Sequence, residues 1–170
     1  MTFLHFYVRA GELILPTVAR TGDGFYVDCA PVIVLPICES GREREKLLAA
    51  LLNVLSADNP VIATPEPASG RGAARSVVLE KLELKRWQNF EQESFLYNVY
   101  RRADAVEFYV AGRGPDGMWT AAQENHHVFK ADTPLASVVA ALVDCIVGSP
   151  AVRPPAKRTL LLGPPPADSV

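Results

Sequence analysis

The sequence predicts an α+β fold, a mainly antiparallel sheet with two principal helices packed against it, followed by a Pro-rich C-terminal tail. Three observations lead there. Strand-like runs come in hairpin-sized groups joined by Gly- and Asp-containing turns. Two apolar stripes at helical spacing lie near residues 41–57 and 133–147. Several strands, not one, separate these stripes. Parallel βαβ winding is the runner-up architecture. A single domain over residues 1–148 suits the length, because 170 residues bury enough surface to need no disulfide or metal staple.

The N-terminal 37 residues read as three strands. Phe3 to Val8 is aromatic and apolar, and Ala10-Gly11 turns it. Leu13 to Val18 contains Pro16, which lacks a backbone N–H and so predicts an edge strand or a bulge. Thr21-Gly22-Asp23-Gly24 is a tight turn, and Phe25 to Leu35 is a strand pair or a strand bent at Pro31. Ser40 and Glu43 have capping-box spacing, and Leu47, Leu48, Leu51, Leu52 and Leu55 then form one helical stripe. Asp58-Asn59-Pro60 ends this helix, since proline cannot continue its hydrogen-bond ladder.

Residues 64–75 read as a surface loop. Gly70-Arg71-Gly72 invites a phosphate-loop reading, but no Lys-Ser/Thr follows at the required spacing. From Ser76 a strand is expected, with Leu82 and Leu84 alternating against Lys81, Glu83 and Lys85. A helical turn at 86–90 then drops Trp87 and Phe90 inward. Strands follow at Phe95–Tyr100 and Val106–Val110, and Gly114-Pro115-Asp116-Gly117 turns back to Met118–Ala122. Asp132-Thr133-Pro134 is expected to cap a second helix, buried through Leu135, Val138, Val139, Leu142 and Ile146 and stopped by Gly148. Residues 149–170 hold six prolines and form the tail, in which residues 159–162 are expected to dock on the body or another chain.

Composition narrows the function. A net charge of −2 lacks the basic excess of a nucleic-acid binder. No window approaches the ~20 apolar residues of a membrane helix. Met1–Arg9 has no basic start and is interrupted by His5, which argues against a signal peptide and for the cytoplasm. Cys29, Cys38 and Cys145 have unrelated spacings, as expected for reduced thiols in apolar surroundings.

Positive signs of chemistry are few. No GxSxG elbow, HExxH or paired CxxC occurs, and neither a catalytic residue nor a cofactor is expected. His5 lies in an apolar strand, where a hydrogen-bonded structural histidine is the expectation. Glu124-Asn125-His126-His127 is the densest polar cluster, read as a strand end or loop. Neighbouring histidines on a strand point to opposite faces and do not chelate one ion together. An enzyme or metal-binding protein using His126 or His127 is a rival reading. The surface between residues 80 and 124 mixes charges with aromatics, a pattern that suits a polar protein interface and equally a solvated sheet face. Its candidate partner-binding residues are Glu80, Glu83, Glu107, Tyr109, Asp116, Trp119 and Glu124.

Four segments together resemble small immunity proteins of bacterial polymorphic-toxin and contact-dependent growth inhibition systems. They are Gly24-Phe25-Tyr26-Val27-Asp28, the Leu-rich helix ending at Asn59-Pro60, Lys85-Arg86-Trp87-Gln88-Asn89-Phe90-Glu91, and Asp132-Thr133-Pro134-Leu135. The likeness covers roughly residues 20–147. It implies a non-enzymatic cytoplasmic inhibitor that binds the C-terminal domain of one cognate toxin, often a nuclease, and it assigns no catalytic residues. Another kind of protein-interaction module is the alternative. Neither reading fixes the oligomeric state.

Overall fold

The chain is described by a computed structural model over residues 1–64 and 76–149. The loop expected at 64–75, from residue 65 on, and the tail with its expected docking at 159–162 lie outside the described residues. In chain order the elements are β1 (Thr2–Arg9), β2 (Glu12–Thr21), β3 (Tyr26–Pro36), α1 (Gly41–Ser56), β4 (Val61–Ile62), α2 (Val77–Lys81), α3 (Trp87–Glu93), β5 (Phe95–Arg101), β6 (Ala105–Arg113), β7 (Trp119–Lys130) and α4 (Leu135–Val147). The fold is α+β. Among the described residues, six strands form one sheet in the order β3-β2-β1-β5-β6-β7, with every neighbour antiparallel, and the short β4 adds a parallel pairing to β2.

The tight turns follow from local chemistry. Ala10 and Gly11 both have positive φ (50° and 80°), the geometry that matches the twist of a two-residue hairpin. Gly117 (φ 78°) closes the β6–β7 turn, and its N–H donates to Gly114 O at 3.0 Å.

Pro16 lies opposite a bulge and its strand is not an edge: the extra residues are Ala30 and Pro31 of β3, between the pairs Pro16–Val32 and Thr17–Cys29. β2 lies between β1 and β3, and the β2–β3 register shifts between Pro16 and Thr17. The β1–β2 ladder pairs Arg9, Val8 and Tyr7 with Glu12, Leu13 and Ile14, so the missing N–H of Pro16 lies beyond it. There Asn59 takes over. Its Oδ1 accepts from Phe3 N at 2.8 Å, and its Nδ2 donates to Phe3 O at 2.7 Å and Val18 O at 2.9 Å.

The main core lies between one sheet face and the packed pair α1 and α4. Leu4, Phe6 and Val8 of β1, Tyr97 and Val99 of β5, and Phe108 and Val110 of β6 meet Leu47, Leu51 and Leu55 of α1 and Leu142 and Ile146 of α4. The two predicted stripes are thus buried as their spacing implies. At about 25 cal/mol per Å2 of apolar area, such burial is the principal stabilising contribution. The helix ends depart from expectation. Ser40 makes no side-chain cap, because the chain turns at Gly41 (φ 74°), and Glu43 instead pairs with Lys46 at 2.7 Å. α4 starts after Pro134, whose carbonyl accepts from Ser137 N at 2.8 Å, with no side-chain cap. Gly148 has φ −72°, so its backbone freedom is not what ends the helix.

The opposite face is not bare, a departure from the expectation of helices on one side. α2 and α3 cover part of it, placing Val78 and Phe90 against Tyr7 and Ile14. The strand expected from Ser76 is replaced by α2 and a turn. Ser76 Oγ accepts from Leu79 N, and Glu83 adopts φ 55°, which brings Leu84 N back to Leu79 O at 2.9 Å. Leu82 and Leu84 therefore pack into one cluster through a turn, although their spacing also fits a strand. β7 also runs well past Ala122, so Glu124 to His127 lie within a strand that bulges at Asn125 (φ 49°).

Candidate partner-binding face

Alternation along the strands builds the site. Leu4, Phe6 and Val8 face α1 and α4, so Phe3, His5 and Tyr7 face the other way. Tyr7 goes under α3, stacked on Trp119 at 5.4 Å and edge-on to Phe90 at 5.0 Å. Phe3 and His5 lie further along β1. Phe3 meets Tyr26 of β3 at 4.9 Å and Tyr100 of β5 at 4.7 Å; Tyr100 stacks with Tyr109 of β6 at 6.0 Å, and Tyr109 meets His126 of β7 at 5.8 Å. A continuous aromatic row thus crosses the sheet from β3 to β7.

Two carboxylates flank the row, each oriented by a histidine. Asp28 Oδ1 contacts His5 Nε2, and its Oδ2 accepts from Tyr7 OH at 2.9 Å. Glu107 Oε1 pairs with Arg102 Nη2 at 2.7 Å, and its Oε2 lies 3.2 Å from His126 Nε2. Burial, then the Asp28 carboxylate, raises the Tyr7 phenol above its ordinary range. Tyr100 is raised by burial and then by its hydroxyl contact with Tyr109 at 3.4 Å, while Arg102 acts in the opposite direction.

Of the seven residues expected to bind a partner, this face unites Glu107 and Tyr109 alone. Trp119 is not an exposed anchor: it packs beside Tyr7, Trp87 and Phe90, and its Nε1 donates to Ser94 O at 3.0 Å. Arg113 fixes that corner, donating to the carbonyls of Glu91 (2.7 Å), Gly117 and Ser94. Burial lowers the pKa of its guanidinium. Glu124 pairs with Val110 and lines a cavity of about 160 Å3 with Tyr97 and Cys145, on the side of the sheet that carries α4. Glu80 is exposed on α2 and Glu83 on the turn after it. Asp116 is held in the β6–β7 turn, where its Oδ1 accepts from Met118 N at 3.1 Å.

His126 and His127 point to opposite faces, as their adjacency implies. His126 meets Glu107 and Tyr109, whereas His127 stacks on Phe108 at 4.6 Å. Among the described residues, no three His, Cys, Asp or Glu side chains gather to hold a metal ion. Cys29, Cys38 and Cys145 are free and half-buried, and burial raises the Cys145 thiol.

The aromatic row went unread in the sequence, although Phe3-x-His5-x-Tyr7 and Tyr26-x-Asp28 already place those side chains on one face by twos. Which strand would bring Tyr100 beside Phe3 was not legible.

No protein-family model matches the chain, and no curated protein matches it. Among solved structures it is similar to NMB0488 from Neisseria meningitidis, described as a protein of unknown function. The two share 12% sequence identity with a TM-score of 0.56, over 86% of this chain and 93% of the other. That likeness concerns the fold. No described helix is long and apolar enough to cross a membrane.

Proposed function

We propose that this chain is an immunity protein that binds a cognate secreted toxin domain and neutralises it in the cytoplasm. The reading rests on the resemblance of residues 20–147 to such proteins. The observation that carries it to a surface is the Tyr100–Tyr109 pair beside Glu107 on the sheet face opposite α1 and α4. Tyrosines offer large contact area at low conformational cost, and carboxylates beside them attract a basic partner and reject an acidic one.

The test is co-expression with the toxin domain encoded directly upstream. Rescue of growth and a co-purifying complex are expected, with an interface of roughly 1,200–2,000 Å2. Charge reversal at Glu107 should slow association, and added salt should narrow the difference. The same change at Glu124, on the other side of the sheet, should leave the rate unchanged. A toxin that kills despite this protein, or a locus with no toxin gene beside it, would sink the reading.

A further inference from the structure

We infer that Glu107, Tyr100 and Tyr109 form a seat for an arginine side chain of the partner protein, and that Arg102 is its occupant within the chain. The inference rests on the protein-binding role proposed for this face.

The seat already displays the chemistry. Arg102 Nη2 reaches Glu107 Oε1 at 2.7 Å, and its guanidinium carbon stands 5.7 Å from the centre of the Tyr100 ring. Tyr100 and Tyr109 lie nearly parallel, at 19°, and make a two-ring shelf beside the carboxylate. Glu107 is held from its other side by His126, so it is oriented before any partner arrives.

A guanidinium suits this arrangement better than an ammonium. It is planar and weakly hydrated, stacks on an aromatic ring and presents several donors to one carboxylate. Once Arg102 leaves, the Glu107 carboxylate is the charge of the seat, which disfavours a phosphate and favours a cationic guest.

Arg102 is also easily displaced. Its side chain is 52% exposed, and surface pairs of this kind contribute little net stability. It sits where β5 turns into β6, with its N–H donating to Ala105 O at 2.8 Å, so its side chain can leave without unfolding the turn. Exchange of one arginine for another keeps the carboxylate paired throughout.

The distinguishing consequence is opposite signs for two neighbouring substitutions. The experiment is an NMR titration of the full-length protein with the blocked tripeptide acetyl-Gly-Arg-Gly-amide, with its lysine counterpart as control. Perturbations should centre on Tyr100, Glu107 and Tyr109 and be larger for arginine. Arg102→Ala should tighten binding several-fold by vacating the seat, whereas Glu107→Gln should weaken it about tenfold. Tyr109→Ala should weaken it as well, and unchanged spectra elsewhere would show that the variants fold. Equal response to lysine, scattered perturbations, or weaker binding in Arg102→Ala would overturn the seat. No toxin enters this assay, so the two proposals fail separately. Toxin neutralisation beside a silent titration overturns the seat alone; peptide capture by a protein with no toxin partner overturns the immunity reading alone.

Discussion

Asn59 supplies both backbone hydrogen-bond partners of Phe3, accepting from its N–H and donating to its carbonyl, from a position 56 residues away in the chain. Extending the β1–β2 register by four residues from Tyr7–Ile14 would bring Phe3 opposite Val18, and the third Asn59 bond goes to Val18 O. One carboxamide thus replaces a stretch of ladder between two strands that have parted. Asn59→Ala would leave three part-buried backbone groups without their partner, at about 1–3 kcal/mol for each that water cannot reach. We expect a loss of roughly 2–4 kcal/mol in urea unfolding. Asn59→Asp should also destabilise, since a carboxylate cannot donate to Phe3 O and Val18 O. Midpoints within a few tenths of wild type would show that the insertion contributes nothing.

The two helical stripes make a matched pair of tests. Leu51 of α1 and Leu142 of α4 are both fully buried, at 0% exposure, in one core. Replacement of either by Ala should cost about 2–5 kcal/mol through lost transfer energy and the cavity left behind. Calorimetry or denaturant unfolding checks this, and a change below about 1 kcal/mol would contradict the packing.

Trp119 and Tyr109 should behave in opposite ways. Trp119 is half-buried like Tyr109, but it packs on Tyr7, Trp87 and Phe90 and donates to Ser94 O, so Trp119→Ala should destabilise the fold by about 3 kcal/mol. Tyr109 is half-buried on the sheet face, so Tyr109→Ala should weaken partner binding with a smaller loss of stability. Thermal unfolding and complex formation measured on both variants would separate the roles. Equal destabilisation would remove Tyr109 from the proposed surface.

Alkaline pH should weaken the fold before it ionises all the tyrosines. Burial pushes the Tyr97 phenol up to about 12, and Tyr7 is raised by burial and by Asp28. Tyrosines in the unfolded chain ionise near their ordinary value of about 10, so above that pH the unfolded state holds fewer protons than the native one. Stability is then complete below about pH 10 and falls as pH rises toward 12, by up to about 1.4 kcal/mol per pH unit for each such tyrosine. Tyr97→Phe should flatten the slope. A stability curve level from pH 9 to 12 would contradict the burial of both phenols.

Residues close in the chain dictate the elements whose geometry is local. Leucines three and four apart specify α1, and valines, leucines and isoleucine at the same spacing specify α4. Gly11 and Gly117 mark their turns, since glycine takes positive φ without the steric cost of a Cβ. Near Leu82 and Leu84 that local logic failed, because alternation along a strand and a short helix followed by a left-handed Glu83 bring the same leucines to one side. The pairing of β5 with β1 is long-range: it sets Tyr100 beside Phe3 and lets the row continue to Tyr109 and His126. Tertiary packing also turns Trp119 inward and sets Glu107 and Glu124 on opposite faces of the sheet. The reason is physical: these contacts join residues far apart in the chain, and their closure is favourable only once the apolar faces of the sheet are buried, an outcome set by the whole core.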